Sequence, residues 1–152
     1  MSTKGTVVEQ AQALIEGESN LISALANVAA VIHAEWSEVA LWSGFYLVQN
    51  DRLELGPFQG PVACTKIEYG KGVCGTSWKN NESIIVDDVH RHEGHIACSS
   101  FSNSEIVVPI INAKNLVVGV LDLDSDKFAA FTNDHKKDLE LICTSIAQQF
   151  FN

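Results

Sequence analysis

The chain has 152 residues, of which 46% are hydrophobic and 19% charged, with 19 Asp and Glu against 10 Lys and Arg for a formal net charge of −9. That length suits one domain with a sizeable core. The few basic residues are spread along the chain, which argues against a nucleic-acid or anionic-membrane partner. No apolar run approaches the roughly 18 residues of a membrane span. The N-terminal stretch MSTKGTVVEQAQALIEGES lacks a signal-peptide apolar core, so a cytoplasmic location is expected. In a reducing compartment the four cysteines point to catalytic, redox or metal chemistry before structural disulfides.

Val7, Val8, Ala11, Leu14 and Ile15 recur at helical spacing before Gly17. A second predicted helix carries Leu21, Leu25, Val28, Ala29 and Ile32 on one stripe, with Ser19 or Asn20 as its cap. Both stripes read as core-facing or dimer-facing. Glu38 to Val48 reads as a strand rich in aromatic and branched residues. Alternation puts Trp42, Gly44 and Tyr46 on one face and Leu41, Ser43, Phe45 and Leu47 on the other. The glycine between two aromatics leaves room for close approach to the backbone, the plain alternative being core packing.

The Asn50-Asp51 turn predicts a hairpin to a strand over Arg52–Phe58. Gly56-Pro57 and Gly60-Pro61 are expected to interrupt the ladder before Val62–Glu68 resumes it. A turn at Tyr69–Gly72 and a short helix around Val73–Asn80 follow, then a strand at Ile84–Val86 ending in Asp87-Asp88. The polar loop His90-Arg91-His92-Glu93-Gly94-His95, with no evident packing role, leads to Cys98. Strands over Glu105–Ile111 and Leu116–Asp124 form a second hairpin around Asn112–Asn115. A final helix, capped by Thr132 with Asp134 in its first turn, carries Leu139, Ile142, Cys143, Ile146 and Phe150. Two helices, about six hairpin-joined strands with an inserted helix, and a closing helix predict an α+β domain with a mainly antiparallel sheet.

Cys143 sits on an apolar stripe and reads as buried and inert. Cys64, Cys74 and Cys98 are assigned to loops or strand ends. His90, His92, His95 and Cys98 could supply a zinc site, but the paired Cys spacing of structural sites is missing, so no metal is assigned. Asp122, Asp124 and Asp126 open like a calcium loop, yet Lys127 and Asn133 break its pattern. The glycines of Gly70-Lys71-Gly72 and Gly75-Thr76 lack the rest of a phosphate loop. A thiol redox reading explains more. Cys98 has His90, Arg91, His92 and His95 within eight residues to favour a thiolate, and further cysteines could attack its oxidised form. Asp122 and Asp124 share one strand face roughly 7 Å apart, with Glu105 on the neighbouring strand. Such acids are usually a solvated edge, but here they could hold an ammonium group or donate a proton.

The cysteine spacing, Trp42 and Tyr46, Gly70-Lys-Gly-Val-Cys74-Gly, Ile96-Ala-Cys98 and Leu121-Asp-Leu-Asp-Ser125 together resemble free methionine-(R)-sulfoxide reductases, which are stand-alone GAF-domain enzymes. The resemblance runs from about Leu21 to Phe150. It implies that residues 1–152 form a single GAF domain, a six-stranded antiparallel sheet with terminal helices on one side and a ligand pocket on the other. It also implies reduction of free L-methionine (R)-S-oxide, thioredoxin as reductant, no cofactor, and a homodimer packed through the N-terminal helices. Position by position, Cys98 corresponds to the nucleophile, and Cys64 and Cys74 both match resolving positions. Trp42 and Tyr46 match the aromatic pocket wall; Glu105, Asp122 and Asp124 match the substrate-binding acids, with Glu105 the candidate proton donor. The competing reading is a GAF module that senses a cyclic nucleotide or another small effector. Against it stand the three spaced cysteines, which a sensor does not require.

Overall fold

Segments rich in aromatic and β-branched residues pair into one sheet because those side chains fit a pleated, half-buried surface. The computed structural model describes residues 5–92, 94 and 101–152. Among these, β1 (Trp42–Gln49), β2 (Arg52–Gln59), β3 (Lys66–Ile67), β4 (Ile84–Val86), β5 (Ser104–Ile111) and β6 (Val117–Ser125) lie in the order β3-β2-β1-β6-β5-β4. Every neighbouring pair is antiparallel. With helices α1 (Val7–Ile15), α2 (Leu21–Glu35), α3 (Gly72–Asn80) and α4 (Asn133–Phe150), this is the expected α+β architecture. No described helix is long and apolar enough to cross a membrane.

The sheet separates two apolar clusters. On one face, Phe45, Ile106, Val108 and Leu121 pack against the stripes of α1, α2 and α4. The N-terminal stripes are thus core-facing: Ala11, Leu25, Val28, Ala29 and Ile32 are fully buried within this chain. Burying one such aliphatic side chain contributes about 1.5–3 kcal/mol. Asn20 caps α2 by accepting from the Ser23 amide at 3.1 Å, and Thr132 caps α4. Cys143 lies on this face too, buried and as a free thiol. On the other face, Trp42, Tyr46, Val107 and Val120 meet Val73 and Cys74 of α3.

Two boundaries differ from the sequence reading. β1 begins at Trp42, not Glu38, because the amides of Val39 and Ala40 close a turn onto the Trp36 carbonyl at 3.0 and 2.8 Å. β3 is confined to Lys66–Ile67 within the longer expected segment. Gly56-Pro57 interrupts the β1–β2 ladder as expected, from within β2: the register jumps from Gly44–Phe58 to Tyr46–Leu55, so both residues bulge opposite Phe45. A bulge tolerates proline because the extra residue leaves the ladder anyway.

Gly44 is required by close packing. A Cβ there would lie 2.3 Å from Phe58 Cβ and 2.7 Å from the Trp42 ring. The space beside its backbone is therefore filled by the protein's own rings. Gly44→Ala should destabilise the fold by about 1–3 kcal/mol, the usual cost of overpacking a filled site. Urea unfolding monitored by tryptophan fluorescence checks this; an unchanged midpoint would refute the packing account.

Candidate active site

Antiparallel register places chosen residues side by side across the sheet. Trp42 on β1 faces Asp124 on β6, which faces Glu105 on β5. In the adjacent row, Gly44 faces Asp122, which faces Val107. Alternation on β6 thus brings Asp122 and Asp124 to the face that carries Trp42 and Tyr46, and β5 adds Glu105 beside them. Helix α3 lies over β5 and β6 and brings Cys74 against these acids, its Sγ 4.0 Å from Glu105 Oε2.

Trp42 and Tyr46 are almost fully buried and stack at 5.9 Å. Their polar ends fasten the loop after β2. Trp42 Nε1 donates to the Pro61 carbonyl at 3.0 Å, and the Tyr46 hydroxyl donates to the Cys64 carbonyl at 2.9 Å. Phe58 stacks on Trp42 at 5.2 Å and completes the wall. Sequence reading missed Phe58. Its only signal was the hairpin register opposite Gly44, and the bulge at Gly56-Pro57 conceals that register.

The thiols occupy three environments. Cys64 is disulfide-bonded. Cys74 and Cys143 are free and buried. Cys74 sits inside α3 rather than in a loop or at a strand end. Burial first, then the charges of Asp122, Glu105 and Asp124, pushes its thiol well above the ordinary range, so it remains S–H. Burial likewise raises Cys143. Cys98 and His95 lie outside the described residues.

The acids form one coupled group. Burial, then the nearby carboxyls of Asp122 and Asp124, holds Glu105 well above the usual carboxylate range. Burial and then Asp122 raise Asp124 as well. Asp124 keeps partial solvent access, which screens the effect there, and Glu105 is the more securely protonated of the two. Asp122 is also raised by burial, but hydrogen bonds from Glu105, Cys74 and Asp124 pull it back. Neutral Glu105 therefore has a proton to give, and Asp122 is the acceptor at the centre of the group. Asp122 Oδ1 is buried without a hydrogen-bond partner among the described residues.

The first part of the histidine loop does have a packing role. Val89 is fully buried, and the His90 ring meets Asn103 Oδ1 at 2.9 Å. Arg91 lies against Asp88, its Nε 3.5 Å from Oδ2, with its side chain largely in solvent. The loop is anchored to the α3 turn by the Gly72 amide, which donates to the Gly94 carbonyl at 3.2 Å.

A six-stranded antiparallel sheet with α1, α2 and α4 on one face and α3 on the other matches the architecture of solved GAF domains, and the family model described as "GAF domain" matches residues 23–149. The free methionine-R-sulfoxide reductase of Escherichia coli is 43% identical over 134 residues, covering 88% of this chain and 80% of the relative. The Saccharomyces cerevisiae protein of that name is 40% identical over 141 residues, 89% of this chain and 78% of the relative. The structure of free methionine-R-sulfoxide reductase from Neisseria meningitidis in complex with its substrate superposes with a TM-score of 0.90 at 38% identity, covering 99% of this chain and 93% of that one. The chain belongs to the free methionine-R-sulfoxide reductase family of GAF-domain proteins.

Protonation of Glu105 sets a pH dependence whose sign follows from its raised value. Its proton is held more tightly in the folded chain than in the unfolded one. The associated stability is fully present below the ordinary carboxylate range and is lost as pH rises through the raised value. Glu105→Gln, which stays neutral, removes that loss. Between about pH 5 and about pH 8, the parent's thermal midpoint should fall relative to that of the variant. Parallel curves for the two proteins would contradict the assignment.

Proposed function

We propose that this protein reduces the R-sulfoxide of free L-methionine to methionine through a cysteine sulfenic acid and an intramolecular disulfide, with thioredoxin restoring the thiols. One observation carries the reading. Three acids lie together on one sheet face beside an indole, and none of them pairs with Lys, Arg or His among the described residues. A free amino acid's ammonium supplies the missing positive charge, and burying that group unpaired would cost far more than binding returns.

Cys98 is the proposed nucleophile. Its thiolate attacks the sulfoxide sulfur, the S–O bond breaks, and oxygen passes to Cys98 as sulfenic acid while methionine leaves. Sulfur is reduced, the thiolate is oxidised, and one proton is taken up. Neutral Glu105 is the proposed proton donor, and Asp122, with Asp124 beside it, the proposed acceptor for the ammonium. Trp42 packs against the S-methyl group, whose sulfur carries partial positive charge.

Attack by a second thiol on the sulfenic acid then releases water and forms a disulfide. Both Cys64 and Cys74 match resolving positions. The bonded state of Cys64 and the enclosed, protonated thiol of Cys74 favour Cys64. Thioredoxin's dithiol is oxidised as it reduces that bond. The α1 and α2 stripes are consumed inside the fold, so a homodimer packed through these helices would use their outward faces, where Ile22 is exposed.

The decisive assay couples racemic free methionine sulfoxide to thioredoxin, thioredoxin reductase and NADPH. The parent should consume the R epimer only. Cys98→Ser should release no methionine, Cys64→Ser should stop after a single turnover, and Cys74→Ser should keep cycling. Consumption of neither epimer by the parent would sink the reductase reading; single-turnover arrest in Cys74→Ser would transfer the resolving role to it. In a second prediction, a peptide-bound sulfoxide should be a poor substrate, because a site built to pair a charged group rejects an analogue that lacks it by roughly ten-thousandfold or more. Comparable kcat/KM for free and peptide-bound forms would refute the ammonium assignment.

A further inference from the structure

The acid floor contains one donor that ammonium recognition does not need. Cys74 Sγ, a carboxylate oxygen of Glu105 and one of Asp122 lie within 4.8 Å of one another. All three residues are buried, at 3%, 7% and 5% exposure. They come from α3, β5 and β6, so the cluster is held by tertiary packing rather than by one flexible segment. Asp122 Oδ1 is a buried acceptor with no hydrogen-bond partner among the described residues. We propose that Cys74, Glu105 and Asp122 form a three-ligand site for a thiophilic divalent cation of the zinc class.

Donor chemistry selects the class. Calcium and magnesium demand more oxygen ligands and gain little from sulfur. A thiolate with carboxylate oxygens suits zinc and spectroscopic substitutes such as cobalt. Zinc–sulfur bonds of about 2.3 Å and zinc–oxygen bonds of about 2.0–2.2 Å at a tetrahedral angle put sulfur and oxygen about 3.5 Å apart. The 4.0 Å between Cys74 Sγ and Glu105 Oε2 needs only a small side-chain adjustment to reach that. Three protein ligands leave the fourth position for water or a small molecule, as in exchangeable rather than structural sites. Binding replaces the Cys74 S–H bond with a metal–sulfur bond and the Glu105 O–H bond with a metal–oxygen bond, and sends both protons to solvent with no change of oxidation state.

The site deepens the functional proposal in one respect. Metal and substrate ammonium would use the same acids, so they exclude each other. That competition rests on the reductase reading, whereas metal binding itself does not.

The test uses the full chain, reduced and then freed of reductant and chelator, titrated with cobalt(II) chloride. The parent should develop a near-ultraviolet sulfur-to-cobalt charge-transfer band that zinc abolishes. Cys74→Ser should lack the band, while Cys98→Ser and Cys64→Ser keep it. Asp122→Asn, which leaves every thiol in place, should weaken binding by roughly ten- to a hundredfold. Circular dichroism establishes that each variant is folded. A parent with no band, a band that survives in Cys74→Ser, or a band lost in Cys98→Ser would overturn the proposal. Zinc should also raise KM for methionine sulfoxide without lowering kcat; a fall in kcat alone would refute shared use of the acids. If the protein proves not to be a reductase, the cobalt spectra still decide the site.

Discussion

Three carboxyl groups buried side by side on one sheet face are costly unless they are protonated, hydrogen-bonded to each other, or matched by a cation. Asp122 and Asp124 share that face because they are two apart on β6, and Glu105 stands beside Asp124 through the β5–β6 register. Keeping Glu105 neutral and Asp122 as acceptor makes the group tolerable in the resting protein. It also leaves the group short of positive charge. The helices complement this arrangement: α1, α2 and α4 cover the opposite, mainly apolar face, and α3 closes over the acids.

The aromatic wall links substrate side and thiol side. Trp42 and Tyr46 lie on the sheet face that carries the acids, while their polar ends hold the carbonyls of Pro61 and Cys64. The segment bearing Cys64 is thereby located by the aromatic side chains that stand beside the acids. Phe58 stacked on Trp42 and the missing Cβ at Gly44 keep the indole in place. Small residues and rings thus fix the geometry, and the acids supply the charge.

The cysteines show how environment divides identical groups. Cys143 is a core side chain among aliphatic residues, Cys74 is an enclosed thiol held neutral by burial and its acid neighbours, and Cys64 is in a disulfide. Sequence reading grouped Cys64 and Cys74 together because spacing along the chain reports neither depth nor neighbours. Cys143 stood apart because its helical stripe predicted burial, and Cys98 because of the basic residues just before it.

Local periodicity determined much of this protein. Alternation on β1 separated Trp42 and Tyr46 from Phe45 and Leu47, the period of β6 paired Asp122 with Asp124, and helical stripes marked α1, α2 and α4 as core-facing. Those features depend on residues close in sequence, where side-chain direction follows from backbone geometry alone. Tertiary structure decided what register and packing control: Phe58 against Gly44 across a bulge, α3 carrying Cys74 onto Glu105, and the His90–Asn103 contact. It also decided the charge state of the acids, because desolvation and the distance between carboxyls from different strands exist only once the sheet has formed.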